Sequence, residues 1–317
     1  MAAVAGRTTA AESSATWPRV DRICLALCWT AGFALCALAG AIVIYMLVKG
    51  LQYVSPDLVF SHPQPDIDQS KSGGFLDPLL GTLILTVLGT LIALPIGIAV
   101  AVWITEYHRP AWLARAVESA VEVVAGTPSI VLAIFGLLVF SNGIFSFLSF
   151  TAEGGAVFGR SFFAAGAMMA LIALPLIVGA TREALNAIPG HVREASYALG
   201  KTKAATIRRV LLPAVRPGIG TGTALGMGRI AGDTAIVVIL LGGTAQLQKE
   251  GDVPIIGTLK GTGSTLTSYV YNNSPVGEGN APEKAYAAAF VLLLMVIALN
   301  YLVAMLASRG KAVAWNR

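Results

Sequence analysis

Charge is scarce in this sequence. Of 317 residues only 12 % are Asp, Glu, Lys or Arg, whereas 56 % are hydrophobic. Soluble domains carry roughly twice that share of charge, so a water-soluble globule is excluded and a polytopic membrane protein remains. Histidine is as scarce: His62, His108 and His191 are scattered over polar stretches and cannot assemble a metal cluster. Three cysteines, Cys24, Cys28 and Cys36, share the first apolar run at helical spacing with no His or acid beside them. That excludes a disulfide framework or a metal site and leaves them as small packing residues. Neither H-E-x-x-H nor G-x-S-x-G occurs. Gly200-Lys201-Thr202 lacks the glycine that a phosphate loop needs five residues earlier, where Ala195 stands. The sequence therefore offers no catalytic set, no metal ligands, no ATP site of its own and no nucleic-acid partner.

What it does have is long apolar runs. Six of them, at about 23–48, 79–104, 119–141, 161–181, 217–242 and 285–307, can cross a hydrocarbon core of about 30 Å, which takes roughly 20 helical residues. They lack the alternation of barrel strands, and backbone groups in lipid must be satisfied internally, so they predict helices and an all-α fold. The first run is longer than a signal-peptide core and no convincing cleavage site follows it, so it is expected to stay as a span. Residues 1–22, rich in Ala, Thr and Ser, are expected to be a disordered tail, 23–307 the membrane domain, and 308–317 a second tail.

Between the fourth and fifth runs lies the one long basic segment, Thr181 to Pro217, with seven Lys or Arg against Glu183 and Glu194. Basic residues near span ends resist translocation, which places this segment in the cytoplasm. Six spans then put both termini on the same side, with fifteen of the 22 Lys and Arg. The segments 49–78 and 243–284 face outward. The first, with several prolines, predicts extended structure. The second is too long for a mere connector, and is either functional or a flexible turn.

Arg229 and Asp233 are the only charges expected deep in a span. Four residues apart on one helix, they share a face, and a charge in mid-bilayer costs about 2.5–3.5 kcal/mol on insertion scales. Two readings are open: a self-neutralising ion pair, or a transient anion site in which the Arg229 fork takes phosphate oxygens while Asp233 holds Arg229 or accepts a hydrogen bond from a protonated anion. Gly218, Gly222 and Gly226 recur at intervals of four and predict a close helix contact. Gly228 and Gly232 lie on another side and leave room near Arg229. Gly126 and Pro128 interrupt the third run, either as a simple kink or as a break with a half-helix starting at Ser129. Glu118 and Glu122 are expected to face solvent or a partner.

Within the basic segment, Glu194-Ala195-Ser196, three residues, Gly200, nine residues, Val210, one residue, Leu212-Pro213 resembles the EAA loop of ABC importer permeases. Ser196 stands where the family has Ala and Val210 where it has Ile. The resemblance implies two helices joined at a glycine turn that dock on an ATPase. The residues suit that shape: Glu194 to Leu199 favour helix, Gly200 permits positive φ, Thr202 is a cap and Pro213 closes the second helix. A basic helix pair adsorbing to anionic headgroups is the alternative.

The likeness extends along the chain. Gly81-Thr82-Leu83 through Leu94-Pro95-Ile96-Gly97 to Ile104-Thr105-Glu106-Tyr107, then Gly126-Thr127-Pro128-Ser129-Ile130-Val131, resemble the second and third spans of phosphate-specific transport (Pst) permeases. Gly228-Arg229-Ile230-Ala231-Gly232-Asp233-Thr234-Ala235 is similar to their A-R-A-[IL]-G-E-T-A run, with Asp233 in place of Glu. Tyr271-Asn272-Asn273-Ser274-Pro275 and Thr181-Arg182-Glu183-Ala184-Leu185 favour the PstA-type subunit over the PstC-type. The resemblance implies six transmembrane helices in a type I (MetI-like) permease fold in a bacterial cytoplasmic membrane. It also implies phosphate import with Arg229, Asp233 and Thr234 on the pathway and residues 182–216 as the coupling loop. The implied partners are a PstC-type permease chain as heterodimer, a PstB-type ATPase dimer that binds the ATP, and an external PstS-type phosphate-binding protein, all amid membrane lipid. No cofactor is expected in this chain. A permease for another oxyanion or an amino acid, and an ion-coupled carrier, are the competing readings.

Overall fold

The structure is a computed structural model that describes residues 18–64, 73–149, 159–242, 246–247, 254–275, 277 and 281–308. The expectations for residues 1–17, for the stretch holding Asp66 and Asp68, and for 309–317 lie outside these. The described residues are helical, with no strand among them and a single backbone bridge between Gly242 and Gly263.

The chain divides into two units, one ending at Lys49 and one running from Gly50. The first contributes most of α1, Arg19–Tyr53. Its 35 residues are long enough for about 50 Å of helix, more than one bilayer crossing. Trp29 and Phe33 stack on it at 5.6 Å. Cys24, Cys28 and Cys36 are free and exposed, not the packing residues expected.

The second unit is a bundle. Its elements are α2 (Pro56–Phe60), α3 (Leu76–Val102) with a π-helical turn at Trp103–Tyr107, α4 (Ala111–Gly126), α5 (Ser129–Phe140), α6 (Phe162–Asn186), α7 (Gly190–Ala198) and α8 (Lys203–Thr206). A second π turn at Ile207–Leu211 leads to α9 (Leu212–Ala214), followed by α10 (Arg216–Gly232), α11 (Ala235–Leu240), α12 (Pro254–Lys260), α13 (Leu266–Asn273) and α14 (Pro282–Ser308). Among the described residues, four helices are long and apolar enough to cross a membrane unbroken: α1, α3 with its π turn, α6 and α14. The other two expected spans are interrupted. Between α4 and α5 the axis bends by 109°. The fifth run breaks after Gly232, leaving α10 with 17 residues and α11 with 6.

α6 is the central post. Ser161 caps it by accepting from the Ala164 N–H at 3.1 Å, and its small residues Ala164, Ala165, Ala170 and Ala173 are buried. The expected glycine contact is there: a Cβ at Gly222 would lie 2.9 Å from Ala180 Cβ, one at Gly226 3.3 Å from Ala173 Cβ, and one at Gly218 would overlap Ala184. α10 thus approaches α6 backbone to backbone, where dispersion replaces the hydrophobic effect that lipid cannot supply. Leu85, Met169, Ile177, Ile230, Ile236 and Leu240 fill the core around this seam.

The two outward segments are not what their composition predicts. Residues 56–60, expected to be extended, form α2, because Ser55 accepts from the Leu58 N–H at 3.2 Å and Pro56 suits a first turn. Residues 261–269, expected on the surface, are all buried. Their backbone is satisfied inside the bundle: the Leu266 N–H donates to Thr82 Oγ1 at 2.8 Å, the Phe162 N–H to the Gly261 carbonyl at 3.2 Å, and the Gly263 N–H to the Leu241 carbonyl at 3.4 Å. Thr265 and Ser268 form a capping box for α13.

Candidate functional site

The basic hairpin is built as its spacing predicts. Gly200 takes φ +73 at the turn, a conformation costly for any residue with a side chain. The Gly200 N–H donates to the Tyr197 carbonyl at 2.9 Å and the Lys201 N–H to the Ser196 carbonyl at 3.2 Å, ending α7. Thr202 caps α8 by accepting from the Ala205 N–H at 3.3 Å. Ser196, where the likeness has Ala, hydrogen-bonds Thr206 across the hairpin at 2.8 Å. Val192, Ile207, Leu211 and Val215 pack on Leu185 and Ile188, with Val210 and Leu212 at the margin. Glu194, Ala195, Gly200 and Leu199, the last 79 % accessible, face outward. The motif therefore divides: its apolar positions and Ser196 hold the hairpin, and Glu194, Ala195 and Gly200 form an open face.

Pro213 does not close the second helix. The helical path continues through Ala214 and turns at Val215. The widened turn at Ile207–Leu211, where the Leu212 N–H reaches the Ile207 carbonyl, gives the proline ring room against the preceding turn.

At the root of the hairpin lies a node that sequence reasoning missed. Glu106, 6 % accessible, takes hydrogen bonds on one carboxylate oxygen from Arg193 Nε at 3.0 Å and Nη2 at 2.9 Å. The same guanidinium donates to the Ile188 and Leu185 carbonyls, each at 2.9 Å. Lys203 donates to the Glu106 carbonyl and lies 4.8 Å over the Tyr107 ring. One residue at the end of α3 thus joins α6, α7 and α8, and its burial is sustainable because its carboxylate is paired with the Arg193 guanidinium. The signal available was a lone acid just past an apolar run, but nothing in one sequence pairs it with an arginine far along the chain. Glu118, expected to face solvent or a partner, instead forms an ion pair with Arg182 and ties α4 to α6. Glu122 is exposed.

Arg229 and Asp233 do not pair. Arg229 is exposed and makes no hydrogen bond or ion pair among the described residues, and Cβ atoms added at Gly228 or Gly232 would meet nothing within 4 Å. Asp233, 6 % accessible, lies past the end of α10 with extended backbone, so the shared helix face assumed from its spacing does not exist. Its carboxylate accepts from the Ile236 N–H at 2.9 Å and caps α11, while its carbonyl accepts from Thr267 at 3.2 Å. Thr234 is half-buried and its hydroxyl caps nothing.

Gly126, Pro128 and Ser129 sit at the break between α4 and α5. Pro128 has no N–H to continue α4 and drives Thr127 to φ −80, ψ 130, so the run snaps where a kink was the simpler expectation. α5 then starts at Ser129 and lies against α6 and α11: a Cβ at Gly136 would be 2.6 Å from Met168 and 3.2 Å from Leu240. Gly126 and Pro128 are exposed and Ser129 is half-buried.

Residues 93–311 match the model of the binding-protein-dependent transport system inner membrane component family. The chain belongs to that family. It is 33 % identical over 282 residues to the probable ABC transporter permease protein YqgH of Bacillus subtilis, covering 86 % of this chain and 85 % of the relative. It is 32 % identical over 240 residues to the phosphate transport system permease protein PstA 1 of Mycobacterium tuberculosis (76 % and 72 %), and 32 % identical over 197 residues to PstC of Pasteurella multocida (57 % and 60 %). Among solved structures, a permease chain of a bacterial alginate ABC transporter, in complex with its periplasmic protein, matches at a TM-score of 0.59, with 17 % identity over 92 % of this chain and 96 % of that one. That likeness carries the fold alone. The long apolar helices and the family membership agree on an inner-membrane transport component.

Proposed function

We propose that this permease is the membrane-spanning subunit of an ATP-driven importer for inorganic phosphate, and that Arg229 meets the anion on its way through. The observation that carries the reading is the exposure of Arg229. It lies 13 residues beyond Arg216, about 20 Å along the helix axis and well inside a hydrocarbon core of about 30 Å. A guanidinium there does not face lipid, which would cost about 2.5–3.5 kcal/mol. Its face must line a wet path or meet a second permease chain, and the side-chain-free surface at Gly228 and Gly232 leaves space for an anion beside it. Phosphate is the cargo that relatives named PstA and PstC support. Asp233, engaged in capping α11, fixes the break that presents Arg229 and does not itself hold the guanidinium.

ATP is hydrolysed in a separate ATPase subunit that grips the open face of Glu194, Ala195, Leu199 and Gly200, and the Glu106 node passes hairpin movement to α3. Both termini are cytoplasmic. The PstA-type assignment, with a PstC-type partner chain and an external phosphate-binding protein, rests on Thr181–Leu185 and the Tyr271 stretch.

The test is labelled phosphate uptake by the complete importer. Arg229→Gln should fold, keep its ATPase and lose about 100-fold in uptake, the equivalent of about 3 kcal/mol for a charge-assisted bond. Uptake at the wild-type rate would remove Arg229 from the pathway, and equal competition by sulfate would remove phosphate as the cargo.

A further inference from the structure

A second group of cations, distant in sequence from Arg229, gathers where α3 ends. Trp103, Tyr107, His108, Arg109 and Lys203 line an open cavity of about 600 Å³. Among the described residues no carboxylate lines it. Glu106 belongs to the same turn, but its side chain is turned onto Arg193. Lys203 is positioned by its bond to the Glu106 carbonyl and by the Tyr107 ring below it, which leaves ammonium donors for a further acceptor. Arg109 is exposed and makes no hydrogen bond or ion pair among the described residues.

The depth of the cavity says what reaches it. α3 and its π turn carry no charge between Asp77 and Glu106, so the cavity opens where the apolar span gives way to charge. Trp and Tyr at that level belong to the membrane interface, and basic side chains beside them lie at the height of lipid phosphates. This end carries the basic hairpin, so by the positive-inside rule it meets the cytoplasmic leaflet, where anionic lipids reside.

The geometry points to a site for the phosphodiester headgroup of an anionic phospholipid, with Arg109 and Lys203 on the phosphate oxygens and Trp103 and Tyr107 as apolar walls. A lipid seated there braces the junction of α3 and α8, because Lys203 would hold the headgroup and the Glu106 carbonyl together. The site thus makes the hairpin's seating depend on membrane composition. It follows from membrane placement and does not depend on which cargo is carried.

Native mass spectrometry of the complete importer, equilibrated with equal amounts of phosphatidylglycerol and phosphatidylcholine, tests this. The wild type should retain phosphatidylglycerol in preference. Arg109→Gln should weaken that retention about fivefold and the double variant with Lys203→Gln about 25-fold, from the roughly 1 kcal/mol that each basic residue contributes at an anionic surface. Arg109 is exposed and lies outside the Glu106 node, so its single variant tests the site even if Lys203→Gln disturbs the hairpin. Unchanged retention in Arg109→Gln, or no preference between the two lipids in the wild type, would overturn the site. Displacement of the lipid by millimolar inorganic phosphate would reassign it to a free anion. An Arg109→Cys variant that crosslinks to the ATPase subunit would give the face to that partner instead.

Discussion

At the end of α3 away from the hairpin, Thr82 Oγ1 donates to the Pro78 carbonyl at 2.7 Å and accepts from the Leu266 N–H, while Gly81 lets the Ser264 carbonyl lie against the helix. At the other end, Glu106 is locked to Arg193. The contacts of Thr82 and Gly81 with residues 261–269 are neutral, beside a buried Asp77 that takes His62 Nδ1 at 2.8 Å and the Leu247 N–H at 3.3 Å, whereas the other end rests on a buried carboxylate–guanidinium pair. The difference is one of what happens on separation. Neutral bonds can be lost one at a time, each worth about 1 kcal/mol net. A buried carboxylate and guanidinium cannot separate without leaving an uncompensated charge, so Glu106 and Arg193 move together or not at all. The charged joint lies where hairpin motion must enter the bundle, and the neutral joint where the segment 261–269 seals it.

Three substitutions test that contrast, each read by thermal or denaturant unfolding of the purified protein. Glu106→Ala should cost the most, about 3 kcal/mol, by leaving Arg193 with only its backbone acceptors. It should also uncouple ATP hydrolysis from uptake. A cost below about 1 kcal/mol would mean that the charged joint is no stronger than a neutral bond. Gly81→Ala comes next, at about 2 kcal/mol, because the new methyl overlaps the Ser264 carbonyl and one backbone must shift. Coupling should survive in whatever fraction folds. Thr82→Val preserves shape and removes the acceptor for the buried Leu266 N–H together with the donor to the Pro78 carbonyl, so about 1 kcal/mol is expected. A larger loss for Thr82→Val than for Glu106→Ala would invert the comparison.

The seam between α6 and α10 was legible because it needs only periodicity: Gly218, Gly222 and Gly226 mark a face whichever neighbour fills it. The hairpin was legible for a similar reason, since a helix former, a glycine and a cap specify a turn locally, and Gly200 and Thr202 behave as their chemistry requires. The reading failed where one residue had two options. Asp233 can sit on a helix face with Arg229 or cap the next helix, and four-residue spacing cannot distinguish them. Pro128 can kink or break, and the contacts of α5 with α6 and α11 decided for the break. The polar composition of 261–269 predicted solvent, but its hydroxyls and backbone found partners such as Thr82 and Asp233 inside the bundle.

By itself the sequence determined the class of protein and the turn at Gly200, because hydropathy and backbone preference act over a few neighbouring residues. Only the tertiary structure decided that Glu106 meets Arg193, that Asp233 caps α11 and leaves Arg229 unpaired among the described residues, and that residues 261–269 are buried. Those outcomes depend on which groups are brought within about 3 Å of each other, the reach of a hydrogen bond, and no local preference encodes that proximity.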